Sequence, residues 1–119
     1  MSDDHTFAQF EQIVQRFGGR LWKGVHRADS GRACVLEAAH AAVGHAWSDD
    51  PGGMWPDLRP LNDGPWASAE QRTTHLTRVM RAYWNWQDWS DARQQTVAAR
   101  LALLTVQRLV SSLPGISDP

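Results

Sequence analysis

Cys34 and Glu37 stand three residues apart in the run Cys34-Val35-Leu36-Glu37-Ala38, a spacing that places a thiol and a carboxylate on neighbouring turns of one helix face. A cysteine in the opening turn of a helix meets unpaired backbone N–H groups and the positive end of the dipole, and both favour the thiolate. Cysteine chemistry also needs a base within hydrogen-bond reach, for which His26, His40, His45 and Asp49 are the candidates. Glu37 works against this by raising the thiol pKa. The competing reading makes Cys34 a small buried hydrophobe, since free cysteine is among the most buried residue types. If the chain is an enzyme, Cys34, Glu37 and Asp49 form its catalytic set, in a pocket under residues 45–66.

Glu37 shares its face with Ala33, Cys34, Ala38 and Ala41, a surface too bare for an ordinary solvated helix. A buried, unpaired carboxylate costs several kcal/mol. Burial therefore calls for a partner, either Arg32, Arg59 or backbone N–H groups, and an acid or base role is the alternative. The five histidines show no recognised zinc-ligand spacing, so neither a metal nor a cofactor is expected. Ser48-Asp49-Asp50-Pro51 and Leu61-Asn62-Asp63-Gly64 are rich in turn formers that hydrogen-bond their own backbone. The sharper reading makes Asp49 and Asp63 ligand-binding groups.

A second signal is basic and aromatic. Arg72, His75, Arg78 and Arg81 precede Tyr83, Trp84, Trp86 and Trp89, and arginines beside exposed indoles suit a protein surface or stacked bases. Arg78, Arg81, Trp84, Trp86 and Trp89, with Asp63, are the expected binding residues. Indoles are also the largest core fillers, so core anchoring competes for the three tryptophans. With 12 basic and 13 acidic side chains the net charge is −1. No overall field draws the protein to nucleic acid or an anionic membrane, so a protein partner is favoured over a nucleic acid and no membrane partner is expected.

Helices must position these groups. Phe7, Phe10, Ile13, Val14 and Phe17 recur at helical spacing over residues 6–17, with Asp4 or Thr6 as cap and Gly18-Gly19 as stop. Residues 20–32 suit an extended piece and a turn, with a short strand as one form. A second helix over 33–43 runs from a cap at Ser30 to a stop at Gly44. Residues 44–67, dense in proline and glycine and carrying Trp47, Trp55 and Trp66, form a long loop with one helical turn near 56–61. Ser68 with Gln71 opens a third long helix that turns Leu76, Val79, Met80 and Tyr83 inward and fades through Trp84-Asn85-Trp86. Ser90 or Asp88 caps a last helix from Asp91 to about Ser112, ended by Pro114-Gly115 and buried over most of its circumference. The fold expected is all-α, a single compact domain of four to five helices spanning residues 1–119.

A chain of 119 residues buries roughly two-thirds of its unfolded surface without a metal or disulfide. One cysteine forms no internal bridge. The first twenty residues lack a basic start and apolar run, and no stretch approaches the ~20 apolar residues of a membrane span. A cytoplasmic location is expected.

The elements Cys34-x-x-Glu37-Ala38, Gly44, Ser48-Asp49-Asp50-Pro51, Pro56, Leu58 and Asn62-Asp63 together resemble a pattern in small helical proteins of actinobacteria and their phages, over about residues 32–76. The segment between Pro56 and Asn62 is shorter here, and the loop richer in tryptophan. The resemblance implies an intracellular helical domain in which Cys34, Glu37, Asp49, Asn62 and Asp63 share one neighbourhood, and it transfers no activity. Two functions follow as expectations. One is a non-enzymatic module that binds a protein through an Arg/Trp surface, as a phage or bacterial regulator or inhibitor would. The other is a small Cys/Glu-dependent enzyme.

Overall fold

The computed structural model describes residues 3–112, with side chains from Phe7 to Ser111. The chain is all-helical over this range, with no strand among the described residues. The helices are α1 (Asp3–Arg16), α2 (Val35–Ala42), α3 (Arg59–Asn62), α4 (Ala69–Tyr83) and α5 (Asp91–Ser112), and a 3-10 turn, Trp86–Asp88, lies between the last two. No helix among the described residues is long and apolar enough to cross a membrane.

Local chemistry explains where the helices stop. Past α1, the Gly18 N–H bonds the Gln15 carbonyl and Gly19 N–H the Val14 carbonyl. After α2, Gly44 and His45 bond back to Ala41 and His40 in the same way. Both are Schellman closures, which need a left-handed residue just past the helix. Gly18 (φ +88°) and Gly44 (φ +78°) supply it. Ser68 Oγ accepts from Gln71 N at the start of α4, and Gln71 Oε1 accepts from Ala67 N. Ser90 caps α5 through Arg93 N. α1 already runs from Asp3, so Asp4 and Thr6 lie within the helix and do not cap it as expected, and the Pro114-Gly115 stop of α5 lies outside the described residues.

The short α2 is the centre of the molecule. It packs against α1, α3 and α4, and residues 33–40 are all buried. Its cap is Cys34 rather than Ser30, which bonds within its own loop at Arg32. Phe7, Phe10, Ile13 and Val14 of α1 and Leu76 and Met80 of α4 close on it.

All seven tryptophans are buried or half-buried, each against an identifiable neighbour. Trp55 and Trp84 stack at 5.5 Å and continue through Phe7 and Phe10. Trp86 and Trp89 lie 5.1 Å apart against Tyr83. Trp47 meets Phe17, Trp66 stacks on His75, and Arg32 covers Trp22. Such pairs add about 0.5–1.5 kcal/mol each beyond the area they bury. Trp47, Trp55 and Trp66 thus tie the long 44–67 loop to the body.

Two expectations are corrected. Residues 20–32 form no strand, because the backbone groups of Leu21, Trp22, Gly24 and His26 bond mainly to side chains of neighbouring elements. The last helix is not buried over most of its circumference. Gln94, Val97, Leu101, Thr105 and Arg108 turn toward the body, while Leu103, Leu104, Val106, Leu109 and Val110 are 41–62 % exposed. Among the described residues no other helix covers Leu103, Val106 and Val110 on its far side.

Leu36→Ala, in the centre of the core, is expected to cost about 3 kcal/mol in urea unfolding. Val25→Ala, at a side chain 70 % exposed, is expected to change stability by less than ~0.5 kcal/mol.

Candidate functional site

Glu37 is fully buried, and its carboxyl group is met by two backbone N–H groups and the His26 ring nitrogen. Oε1 accepts from the Cys34 backbone N–H at 2.7 Å and faces His26 Nδ1 at 2.9 Å. Oε2 accepts from the His26 backbone N–H at 2.6 Å. Hydrogen bonds to a carboxylate are stronger than neutral ones, which is how a buried acid becomes tolerable. The first contact is half of a capping box, whose other half is Cys34 Sγ accepting from Glu37 N at 3.5 Å. The expected arginines are engaged elsewhere. Arg32 lies over Trp22, and Arg59 forms a two-pronged pair with Asp57 that holds the Asp57 carboxyl below its ordinary range.

The roof over this edge of α2 is the extended segment at residues 21–27, with the 44–67 loop behind it, rather than the loop alone. Side chains of other elements satisfy that segment's backbone in sequence. Leu21 N–H donates to Thr73 Oγ1 on α4. The Trp22 carbonyl accepts from Asn62 Nδ2, and Gly24 N–H donates to Asp63 Oδ1 at 2.8 Å. His26 N–H reaches Glu37, and the His26 carbonyl accepts from Trp47 Nε1 at 2.7 Å. Asn62 also accepts the Val35 N–H at the start of α2, and its own carbonyl takes Arg72 Nε. These side chains serve the segment as a neighbouring strand would.

Cys34, Glu37, Asn62 and Asp63 therefore do meet around one segment. Asp49 joins none of these contacts. In its turn, Asp50 N–H bonds Ser48 Oγ and Gly52 N–H bonds Asp50 Oδ1, the ordinary use of such a sequence. Asn62 and Asp63 bond each other within their turn and also reach across the chain.

The geometry removes the thiol from nucleophilic chemistry. Burial pushes the Cys34 pKa up from 9.0 to about 12, outweighing the backbone N–H that favours the thiolate, and the nearby Glu37 charge adds to the rise. His26, a candidate base for it, is turned to Glu37. His40 bonds the Asp50 carbonyl and packs edge-on to Trp55 at 5.2 Å. Among the described residues no group of three His, Cys, Asp or Glu side chains converges as a metal site would.

The expected Arg/Trp surface is also corrected. Trp86 is buried, Trp84 stands in the Phe7/Phe10/Trp55 stack, and Arg93 lies 3.7 Å over the Trp89 ring. Arg81 covers Phe7, and Asp63 is committed to Gly24 and Asn62. Of that set only Arg78 stands in water with no neighbour of this kind. Large buried aromatics and large contact aromatics have the same sequence signature, so the strip alone could not separate them.

The exposed face that sequence reasoning missed is on α5. Beside it runs a groove of about 310 Å³ between Pro56 and Pro60 on one wall and Ala98, Leu101, Ala102, Val106 and Leu109 on the other. Its signal was already present, as apolar residues on more than one side of a helix that also carries Arg93, Arg100 and Gln107.

Glu37→Gln would turn an amide NH2 toward an N–H donor in place of one acceptor. We expect a loss of about 3 kcal/mol in urea unfolding, and stability within ~0.5 kcal/mol of wild type would refute the structural role. For Cys34, the folded state keeps its proton between pH 9 and about 12, where the unfolded chain has lost it. Its contribution is thus full below pH 9 and declines as pH rises through that window, by about 1.4 kcal/mol per unit. The stability of wild type relative to Cys34→Ala should fall between pH 9 and 11, and a flat difference would contradict the buried neutral thiol.

No protein-family model, no curated protein and no solved structure matches this chain.

Proposed function

We propose that the protein is a non-enzymatic interaction module that binds another polypeptide through the outer face of α5. The observation that carries this reading is the set of large apolar side chains on one side of that helix, Leu103 at 57 %, Val106 at 55 % and Val110 at 41 % exposure. Scattered single hydrophobes on a surface are ordinary, but a contiguous apolar ridge beside a groove marks a contact face. The rest of the chain supports the same reading by exclusion. Cys34 and Glu37 are buried and engaged with each other and with His26, so a thiol-dependent enzyme lacks its nucleophile. A helix laid along a helix-lined groove is a common way for small domains to recognise partners. A cytoplasmic phage or bacterial regulator or inhibitor that acts by covering a partner's surface is the role we assign to it.

The test compares three forms of the full chain in affinity capture from lysate of the source cells. A partner retained by wild type should be lost with Val106→Glu and retained with Arg78→Ala, while circular dichroism of all three stays the same. Equal retention by Val106→Glu, or loss with Arg78→Ala alone, would move the contact off α5 and overturn the reading.

A further inference from the structure

We infer that His40 and His45 form a site for one divalent transition-metal ion of the zinc class, held by ring nitrogens at the C-terminal end of α2. The inference is independent of the contact face on α5. His40 is only 6 % exposed, and its two ring nitrogens have different surroundings. Nε2 lies against the Asp50 carbonyl. A carbonyl only accepts, so in the neutral ring the proton is on Nε2 and Nδ1 is left as a lone pair. That lone pair is buried and meets no donor among the described residues. Buried polar atoms left in this way are uncommon, and each calls for something that meets it.

The surroundings of His40 are those of a metal ligand. A histidine that binds a metal through one nitrogen donates its other N–H to a carbonyl or carboxylate, which fixes the tautomer and aims the ring. The Asp50 carbonyl does this for His40, and Trp55, edge-on at 5.2 Å, packs against the ring. Imidazole suits zinc and its neighbours in the first transition row.

The second donor comes from the way α2 ends. On a regular helix, residues five apart point about 140° away from each other, so the spacing of His40 and His45 by itself makes no pair. The Schellman closure at Gly44 turns the chain back, with the His45 N–H on the His40 carbonyl. The two rings thereby come to 5.6 Å between centroids. Two imidazoles on one tetrahedral zinc, each at a Zn–N distance of about 2.0–2.1 Å, have centroids about 5.2 Å apart. The small adjustment falls to His45, whose side chain is exposed. Asp49 and Asp50, from the turn that supplies the carbonyl, enter no ion pair among the described residues, and their negative charge favours a cation there. No third His, Cys, Asp or Glu side chain converges among the described residues. Water or an outside group therefore completes the shell, which makes this an open site rather than a closed structural one.

Calorimetric titration of the untagged full chain with zinc chloride, followed by nitrogen NMR of the histidine rings, tests the inference. Before zinc is added, His40 should show the Nε2–H form. One zinc per chain should bind and shift His40 Nδ1, while Nε2 keeps its proton. Loss of a direct ligand should weaken binding by at least the about 10–100-fold that loss of an outer partner costs, in both His45→Gln and His40→Gln. The amide of His40→Gln still has an N–H for the Asp50 carbonyl, and His45 is exposed, so the circular dichroism of both should match wild type. Should His40→Gln fail to fold, His45→Gln decides. His5→Gln and His75→Gln should bind zinc as wild type does. Binding weaker than about 1 mM, binding that survives His45→Gln, or a His40 Nδ1 signal that zinc does not move would each overturn the inference. The last result would assign the lone pair to a water shared with the Trp55 indole N–H, which has no acceptor among the described residues either.

Discussion

A carboxylate with no access to water must be met by donors, and meeting Glu37 organises most of this molecule. Its oxygens gather the first N–H of α2 at Cys34 and both the backbone and the ring of His26. The helix cap and the long-range clamp are thus one set of hydrogen bonds. With backbone donors and a buried acid involved, a structure that leaves any of them unpaired is disfavoured by about 1–3 kcal/mol per group. Among the described residues the extended segment has no neighbouring strand, so apart from the Trp22 N–H bond to the Ala33 carbonyl its peptide groups are held by Glu37, Asn62, Asp63, Thr73 and Trp47. Such a network adds little net stability but selects one arrangement against its competitors.

The tryptophans do the complementary work. A short central helix of eight residues offers little surface of its own, and a long loop would otherwise cost ordering entropy without return. Indoles supply large contact area for few rotatable bonds. Trp55 reaches α1 and α4 through Trp84 and Phe7, Trp47 joins the loop to α1 and to His26, and Trp66 reaches both Leu61 and Arg108. The same stacks consume the arginines and indoles that a sequence reading assigns to a binding strip. What remains exposed is an aliphatic ridge on α5, a helix that touches the body along one side.

Cys34 shows how burial overrides a local tendency. At a helix N-terminus the dipole and free N–H groups favour the thiolate. Taking the sulfur out of water opposes this more strongly, and the neighbouring Glu37 adds to the opposition. The thiol serves as a weak cap and a small core group, and the spacing that suggested catalysis is a capping box.

The helices and most of their ends were legible because they depend on interactions within four residues, although α2 is capped by Cys34 and not Ser30. Periodic apolar positions, Gly18 and Gly44 as stops, and Ser68 with Gln71 as a start act through bonds between near neighbours. That Glu37 needed a partner was equally legible, from the bareness of its face. Its partner was decided only by tertiary structure, since His26 lies 11 residues away, and Asp63 and Asn62 reach residues 39 and 40 positions distant. Periodicity marks a face as apolar and cannot say whether the fold supplies something to cover it. For α4 it does, and for the far side of α5 it does not, because the body ends at Leu101 and Thr105. That absence of a covering element within the described residues, a property of packing alone, is what leaves the far side of α5 exposed.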